Sequence, residues 1–262
     1  MLKELLPPIT LKYLTKFFYG WSGNYKSWTE AKNKCTGYDD EVIFNKVKSA
    51  LIKVKKGEAV FERDSVIFDK IHYSYPLLSA LSLTALNEKL TLNVLDFGGS
   101  LGSAYFQNKN LFPHLVEFNW NIVEQKHFVT EGKKTFSDKH LNFYYNIDEC
   151  LKEQQINLFL LGSVIQYIEK PYELLDEILK KHIPYICFDR TPIFKTNSDR
   201  ITIQKVHKSI YKAQYPCWIL NETKLINYLC DKGYELVFDA ESNENMNLTD
   251  AHLKGYYFKL RN

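Results

Sequence analysis

One stretch constrains this chain more than any other: Leu92-Asn93-Val94-Leu95-Asp96 running into Phe97-Gly98-Gly99-Ser100-Leu101-Gly102. A short apolar run that ends in a carboxylate and turns through glycines reads as a buried strand entering a helix. Glycine lets the backbone turn without a Cβ clash and approach a ligand closely, and the new helix offers free N–H groups and a positive dipole end. Such a turn at the carboxyl end of a parallel strand is the usual ligand position of open α/β sheets.

The spacing narrows the ligand. A dinucleotide site wants G-x-G-x-x-G to seat a pyrophosphate on the helix end, whereas this turn reads Gly98-Gly99-x-x-Gly102 behind Asp96. A carboxylate there repels pyrophosphate and can pair with an ammonium group, such as that of the methionine part of S-adenosylmethionine. Glu124 ends the next apolar run, Asn119 to Val123, and a carboxylate at that tip can accept both ribose hydroxyls of an adenosine; the alternative is a solvated surface charge. Further on, Ile156 to Leu161 leads into Gly162-Ser163-Val164-Ile165-Gln166-Tyr167. There Gly162 permits close approach, and Ser163, Gln166 and Tyr167 can hydrogen-bond or stack beside a cofactor, while Ile165 and Ile168 read as core.

From Leu92 onward, short apolar runs alternate with polar helical stretches, the pattern of βα units. Strands are predicted at Leu92 to Asp96, Asn119 to Val123, Leu141 to Tyr145, Leu158 to Leu161, Tyr185 to Phe188, Tyr234 to Ala240 and Tyr256 to Leu260. Helices are predicted at Ala104 to Asn110, Lys126 to Phe136, Ile147 to Gln154, Tyr172 to Lys180 and Glu222 to Lys232, the last stopped by Gly233. The fold class is therefore α/β: a Rossmann-like, seven-stranded, mostly parallel sheet with helices on both faces. The last two strands, joined by the polar stretch Glu241 to Lys254, are expected to pair antiparallel at the sheet edge. Residues 1–90 show no convincing strand pattern, only helical spacing at Ser27 to Cys35 and Asp39 to Val54, and are read as a helical N-terminal extension or cap. Residues 91–262 form the core, with a lid insertion at about 190–220.

With 34 basic and 31 acidic residues, a net +3, charge gives little reason to expect nucleic acid. The five cysteines are scattered without a C-x-x-C pair and read as reduced thiols. The beginning of the chain lacks the apolar run of a signal peptide, and no stretch approaches eighteen apolar residues, so a soluble cytoplasmic protein without a membrane span is expected. Aromatic residues make up 15% of the chain, which fits either plain core packing or an aromatic-lined pocket for a sugar or other polar ring.

The chain resembles the class I S-adenosylmethionine-dependent methyltransferases, and within them a bacterial branch found among capsule, lipopolysaccharide and other surface-glycan biosynthesis genes. The marks of the resemblance are Tyr19-Gly20-Trp21, Trp28, Val94 to Gly102, Val123-Glu124-Gln125, Gly162 to Tyr167, Asp189-Arg190-Thr191-Pro192, Ile203 to Val206 and Tyr215 to Leu220. The glycine motif is specific to the superfamily, and the later motifs suggest the branch. By that resemblance Asp96, Gly98, Gly99 and Gly102 surround the methionine part of S-adenosyl-L-methionine, Glu124 holds the ribose, and residues Ser163 to Tyr167 line the adenine and sulfonium side. Two departures stand against it: class I enzymes often carry G-x-G where this chain has Gly98-Gly99, and the acidic-Pro-Pro-aromatic tetrapeptide of adenine and glutamine N-methyltransferases is missing. The second disfavours nucleic-acid and protein N-methylation.

The implied reaction is O-methylation of a sugar or sugar-linked group in surface-polysaccharide biosynthesis, with a small or nucleotide-linked sugar as partner. In-line transfer demands an acceptor atom held about 3–3.5 Å from the methyl carbon, and a hydroxyl acceptor needs a base. Asp189 and Arg190, after the fifth strand, and the polar segment Thr196 to Tyr215, with Asp199, Arg200, Gln204, His207, Tyr211 and Tyr215, supply the candidates. His207 is the first choice as base because histidine is the side-chain type suited to exchanging protons near neutrality; the alternative is an ordinary surface histidine between lysines. Arg190 can bind an acceptor phosphate bidentately, or instead form a structural ion pair with Asp189. His72, Tyr73 and Tyr75 could form another wall. No cluster has metal-ligand spacing, so no metal is expected. Two other readings stay open, a nicotinamide-dependent oxidoreductase and a non-catalytic cofactor-binding scaffold for a partner enzyme, and nothing in the sequence fixes the oligomeric state.

Overall fold

A computed structural model of the chain describes residues 19–38, 40–195, 198–207, 210 and 212–261. In chain order its elements are β1 (Gly20–Tyr25), α1 (Trp28–Lys34), β2 (Gly37–Tyr38), α2 (Asp40–Lys55), β3 (Phe61–Arg63), β4 (Val66–Phe68), α3 (Tyr75–Asn87), β5 (Thr91–Phe97), α4 (Ser103–Asn108), β6 (Glu117–Val123), α5 (Lys126–Glu131), β7 (Leu141–Tyr144), α6 (Ile147–Glu153), β8 (Leu158–Gly162) and α7 (Pro171–Leu179). There follow β9 (Tyr185–Phe194), β10 (Arg200–Lys205), β11 (Ala213–Asn221), α8 (Glu222–Asp231), β12 (Tyr234–Glu241) and β13 (Ala251–Leu260).

The seven predicted strands are β5 to β9, β12 and β13. Five of them run parallel in the order β7-β6-β5-β8-β9; β13 then joins β9 antiparallel, and β12 closes that edge against β13. The apolar runs become strands because both faces are covered, as the buried sequences Leu158 to Leu161 and Tyr185 to Phe188 require. The helices supply the cover with one stripe each: α7 buries Leu175, Ile178 and Leu179, worth roughly 1.5–3 kcal/mol per side chain. Asn221 caps α8 by accepting from the Lys224 amide, and Gly233 follows it at φ +94°, the left-handed stop that the sequence predicted.

The chain departs from expectation in two places. Residues 19–90 are not purely helical: β1 joins the main sheet by pairing antiparallel with β10, β2 pairs with β11, and β3 and β4 form a separate hairpin. These strands are of two to six residues, too short for a period of two to register, and β1 and β2 exist only through partners near residue 200. The predicted lid insertion is likewise a β-structure, an antiparallel β10–β11 pair. It is reached because β9 continues past Phe188 to Phe194, where Ile193 and Phe194 pair in parallel with Leu220 and Asn221 of β11. A third element, α3, went unread because Leu77, Ala80, Leu81 and Ala85 are accompanied by apolar neighbours all round, leaving no stripe to detect.

Among the described residues no helix is long and apolar enough to cross a membrane. The part of Asp39 to Val54 contributed by Asp39, and the candidate Tyr211, lie outside the described residues.

Candidate functional site

The strand order reverses at β5: the chain leaves it toward β6 and β7 on one side and returns to β8 and β9 on the other. Ligands of open α/β sheets bind at such a switch point, outside the carboxyl ends of the strands. Register brings these ends level. Phe97 pairs with Val123, Asp96 with Leu160, and Gly162 with Asp189, so Asp96, Glu124, Gly162 and Asp189 stand along one rim. Above it opens a cavity of about 950 Å³.

Among the residues singled out in the sequence, Asp96, Gly98, Gly99, Glu124, Gly162, Ser163, Gln166, Tyr167, Asp189, Arg190, Gln204, His207 and Tyr215 line this cavity. Gly102 does not. It caps the start of α4 at φ +105°, where an added Cβ would come within 3.2 Å of Leu141.

The glycine turn is held from behind. Gly98, at φ +71°, donates its amide to the Val123 carbonyl at 2.9 Å, and a Cβ on it would lie 2.4 Å from a Val164 methyl. A Cβ on Gly99 would strike the Asp96 carboxylate at 2.5 Å. The turn is thus clamped between the β8 loop and Asp96, with bare backbone toward the cavity. Ser100 stands where G-x-G would put its second glycine, and it takes the left-handed backbone itself, at φ +56°. Ser163 and Arg190 do the same after β8 and within β9, at φ +57° and +52°. Non-glycine residues in this region are strained; the others that adopt it, Asp64, Ser65, Lys89, Leu90 and His182, lie in turns.

Electrostatics sharpen the floor. Asp96 is 2% exposed, and burial pushes its carboxyl up to about 7, against the pull of a 3.0 Å hydrogen bond donated by Trp120 Nε1. Glu124 is also raised by burial, although the backbone amides of Gln125 and Ser100 donate to it. Opposite, Gln166 is 1% exposed; its amide nitrogen donates to Ser163 Oγ at 3.0 Å, while its Oε1 is buried without a hydrogen-bond partner. Tyr167 donates to Gln204 Oε1 at 2.6 Å and meets the Tyr215 ring edge-on. Asp189, 2% exposed, accepts from Ser74 Oγ at 2.5 Å and lies 3.3 Å from Arg190 Nε. His207 packs against the Tyr19 ring at 4.2 Å. Among the described residues no three His, Cys, Asp or Glu side chains gather in a way that could hold a metal ion.

Sequence reasoning missed Glu62, Arg63, Ser74, Glu244 and the role of Trp120. Glu62, 1% exposed on β3, accepts from Ser103 Oγ at 2.5 Å and from the Ser65 amide at 2.7 Å; burial still raises it to about 7. Its only local signal was a carboxylate inside the short run Phe61 to Phe68. Of the weaker candidates, His72 reaches the cavity, Tyr73 does not line it, and Tyr75 starts α3 exposed. Asp199 instead binds the Asn221 amide and Lys224 away from the cavity, tying the start of β10 to the end of β11, and Arg200 binds the Gly23 carbonyl, tying β10 to β1.

No protein-family model matches the chain, and no curated protein is similar to it in sequence. Among solved structures it is similar to a LepI variant in complex with SAH and a substrate analogue, at 12% identity, covering 84% of this chain and 55% of that one, with a TM-score of 0.50. It is also similar to the N-terminal domain of EvdMO1 in the presence of SAH and D-fucose, at 10% identity over 86% and 99% of the two chains, TM-score 0.49. A third is an S-adenosylmethionine-dependent methyltransferase from Clostridium acetobutylicum ATCC 824, at 12% identity over 84% and 99%, TM-score 0.47. The chain spans about half the length of the LepI chains it matches. At such identities the likeness carries the fold alone, the Rossmann-like α/β arrangement described above.

Proposed function

We propose that this chain is an S-adenosylmethionine-dependent methyltransferase that O-methylates a sugar or sugar-linked group in surface-polysaccharide biosynthesis. The observation that carries the reading is the pair of carboxylates at neighbouring strand tips, Asp96 under the glycine turn and Glu124 beside it, in one cavity of about 950 Å³. A pyrophosphate would meet Asp96 where a dinucleotide enzyme wants neutral glycine backbone, which disfavours the nicotinamide reading. An adenosine bearing a cationic amino-acid tail suits both carboxylates.

The residues present fit such a group. Glu124 would accept the ribose hydroxyls, Asp96 and the bare backbone of Gly98 and Gly99 would face the amino-acid end, and Gln166 Oε1, buried and without a partner, would gain one. When bound, the cofactor supplies an electrophilic methyl group. The chain supplies the rest: Tyr167, fixed by Gln204 and Tyr215, walls the site, and aromatic rings including Trp21, Trp28 and Tyr215 line the side away from the glycine turn, a surface suited to a sugar ring. His207 lies on that side and takes the acceptor hydroxyl proton, while Asp189 and Arg190 position the acceptor. The same aromatic lining supports a small-molecule acceptor over a polymer.

Calorimetric titration with S-adenosylhomocysteine tests the reading. Micromolar binding is expected, weakened at least tenfold in Glu124→Ala. A folded wild-type protein that ignores S-adenosylhomocysteine and binds NADH would overturn it; binding without turnover of any glycan intermediate would leave the scaffold reading in its place.

A further inference from the structure

The side of the cavity away from the glycine turn holds a charge arrangement that cofactor binding does not explain. Arg63, at the end of β3, places Nη1 2.6 Å from Glu244 Oε1. Arg190, within β9 one residue past Asp189, places its own Nη1 3.7 Å from the same oxygen. Two guanidinium groups from opposite walls therefore converge on one carboxylate, and all three residues line the cavity.

Both arginines are built into position. The Arg63 guanidinium lies 5.8 Å over the Phe68 ring centroid, a cation–π contact across the β3–β4 hairpin. Arg190 is half-buried and held in the left-handed region at φ +52°, and its Nε, although 3.3 Å from Asp189 Oδ2, has no hydrogen-bond partner. Of the carboxylates facing this pair, Asp189 is locked beneath by Ser74, and Asp64 sits exposed in the hairpin turn, where solvent screens it. Glu244 differs from both. It sits in the unpaired stretch between β12 and β13, and its side chain is 38% exposed. Its contact with Arg190 is long, so the fork of that guanidinium is left without the bidentate oxyanion that suits it.

We propose that the acceptor carries an oxyanion, a carboxylate or a phosphate, which displaces Glu244 and binds between Arg63 and Arg190. The inference rests on the methyltransferase reading only for the word acceptor. Arg190 lies on β9 beside the level of the β8 end, and β9 stands two strand spacings, about 9–10 Å, from β5, where the glycine turn begins, so the pair belongs to the second molecule in the cavity. Glu244 occupies the site as a stand-in anion and moves aside with its loop.

The test is calorimetry on protein saturated with S-adenosylhomocysteine, using pyrophosphate and D-glucuronate as probes and D-glucose as the neutral control. Glu244→Ala is expected to bind one of the two anions at least tenfold more tightly than wild type, glucose being unaffected; which anion gains tells a phosphate acceptor from a uronic-acid one. The gain should vanish in the Glu244→Ala, Arg63→Gln double variant. Both substitutions are at partly exposed side chains, and circular dichroism checks that the fold is kept.

Unchanged anion affinity in Glu244→Ala, or a gain that survives loss of Arg63, overturns the proposal. So does a result in which Arg63→Gln weakens S-adenosylhomocysteine itself and the loaded protein binds neither anion, for then the cofactor carboxylate is the occupant. If S-adenosylhomocysteine does not bind wild type at all, the cofactor reading falls, and the same titrations without it decide the oxyanion site on its own.

Discussion

Replacing Asp96 by asparagine separates what this residue costs the fold from what it contributes to binding. The side chain is fully enclosed, and its carboxyl is raised from 3.8 to about 7, chiefly by burial, so holding the anion costs roughly 4 kcal/mol relative to the unfolded chain. The sign follows from the raised value. The group favours folding most below the unfolded carboxyl range, and that contribution is lost as pH climbs through about 7. Between pH 5 and 8.5 this one residue removes roughly 2–3 kcal/mol of stability. Asparagine has nearly the same shape, can still accept from Trp120 Nε1, and does not titrate. Urea unfolding of Asp96→Asn should therefore show a margin over wild type that grows by that amount from pH 5 to 8.5. Affinity moves the other way. If only the anion pairs with the ligand ammonium, wild-type binding of S-adenosylhomocysteine weakens about 30-fold from pH 8 to 5.5, and Asp96→Asn binds weakly at every pH. A stability margin that does not change with pH, or a variant that binds as tightly as wild type, would refute the reasoning.

Two further outcomes follow from the site. Gly98→Ala must place a Cβ 2.4 Å from Val164 at φ +71°, which adds a left-handed penalty of about 1–2 kcal/mol to overpacking of about 1–3 kcal/mol; denaturation should show the sum, and Val164→Ala in the same chain should recover only the overpacking part. His207→Gln should lower the rate of methyl transfer to a hydroxyl acceptor by roughly 10²–10⁴ while S-adenosylhomocysteine affinity in calorimetry stays put, and an unchanged rate would return His207 to the cavity wall as a packing group against Tyr19.

How much of this was written in the sequence depends on where each contact is made. The seven core strands were legible because each is a local apolar run, and Asp96, Glu124, Gly162 and Asp189 were legible because each ends such a run. Parallel register then does the rest, bringing four positions spread over 93 residues onto one rim. The continuation of β9 was hidden by the charged pair Asp189-Arg190 and by Pro192, a residue that usually stops a strand; Arg190 turns at positive φ and Pro192 pairs with Leu253 of β13. The first residues of β13 were read as loop, since Ala251 to Lys254 alternate too weakly to stand out.

The missed site residues share one property, that their meaning lies in a distant partner. Glu62 matters because Ser103 starts α4 beside it. Ser74 matters through Asp189, 115 positions later. Trp120 reads as a core aromatic until neighbouring strands set its indole nitrogen 3.0 Å from Asp96. Arg63 and Glu244 come from a three-residue strand and a polar loop. No local period reports any of them.

The most direct measurement is a crystal structure of the chain with S-adenosylhomocysteine. The expected density places the adenosine hydroxyls on Glu124 and the amino-acid tail along Gly98 and Gly99 above Asp96. Density elsewhere, or a clear cavity in crystals grown at saturating ligand, would contradict the assignment of this rim to the methyl donor.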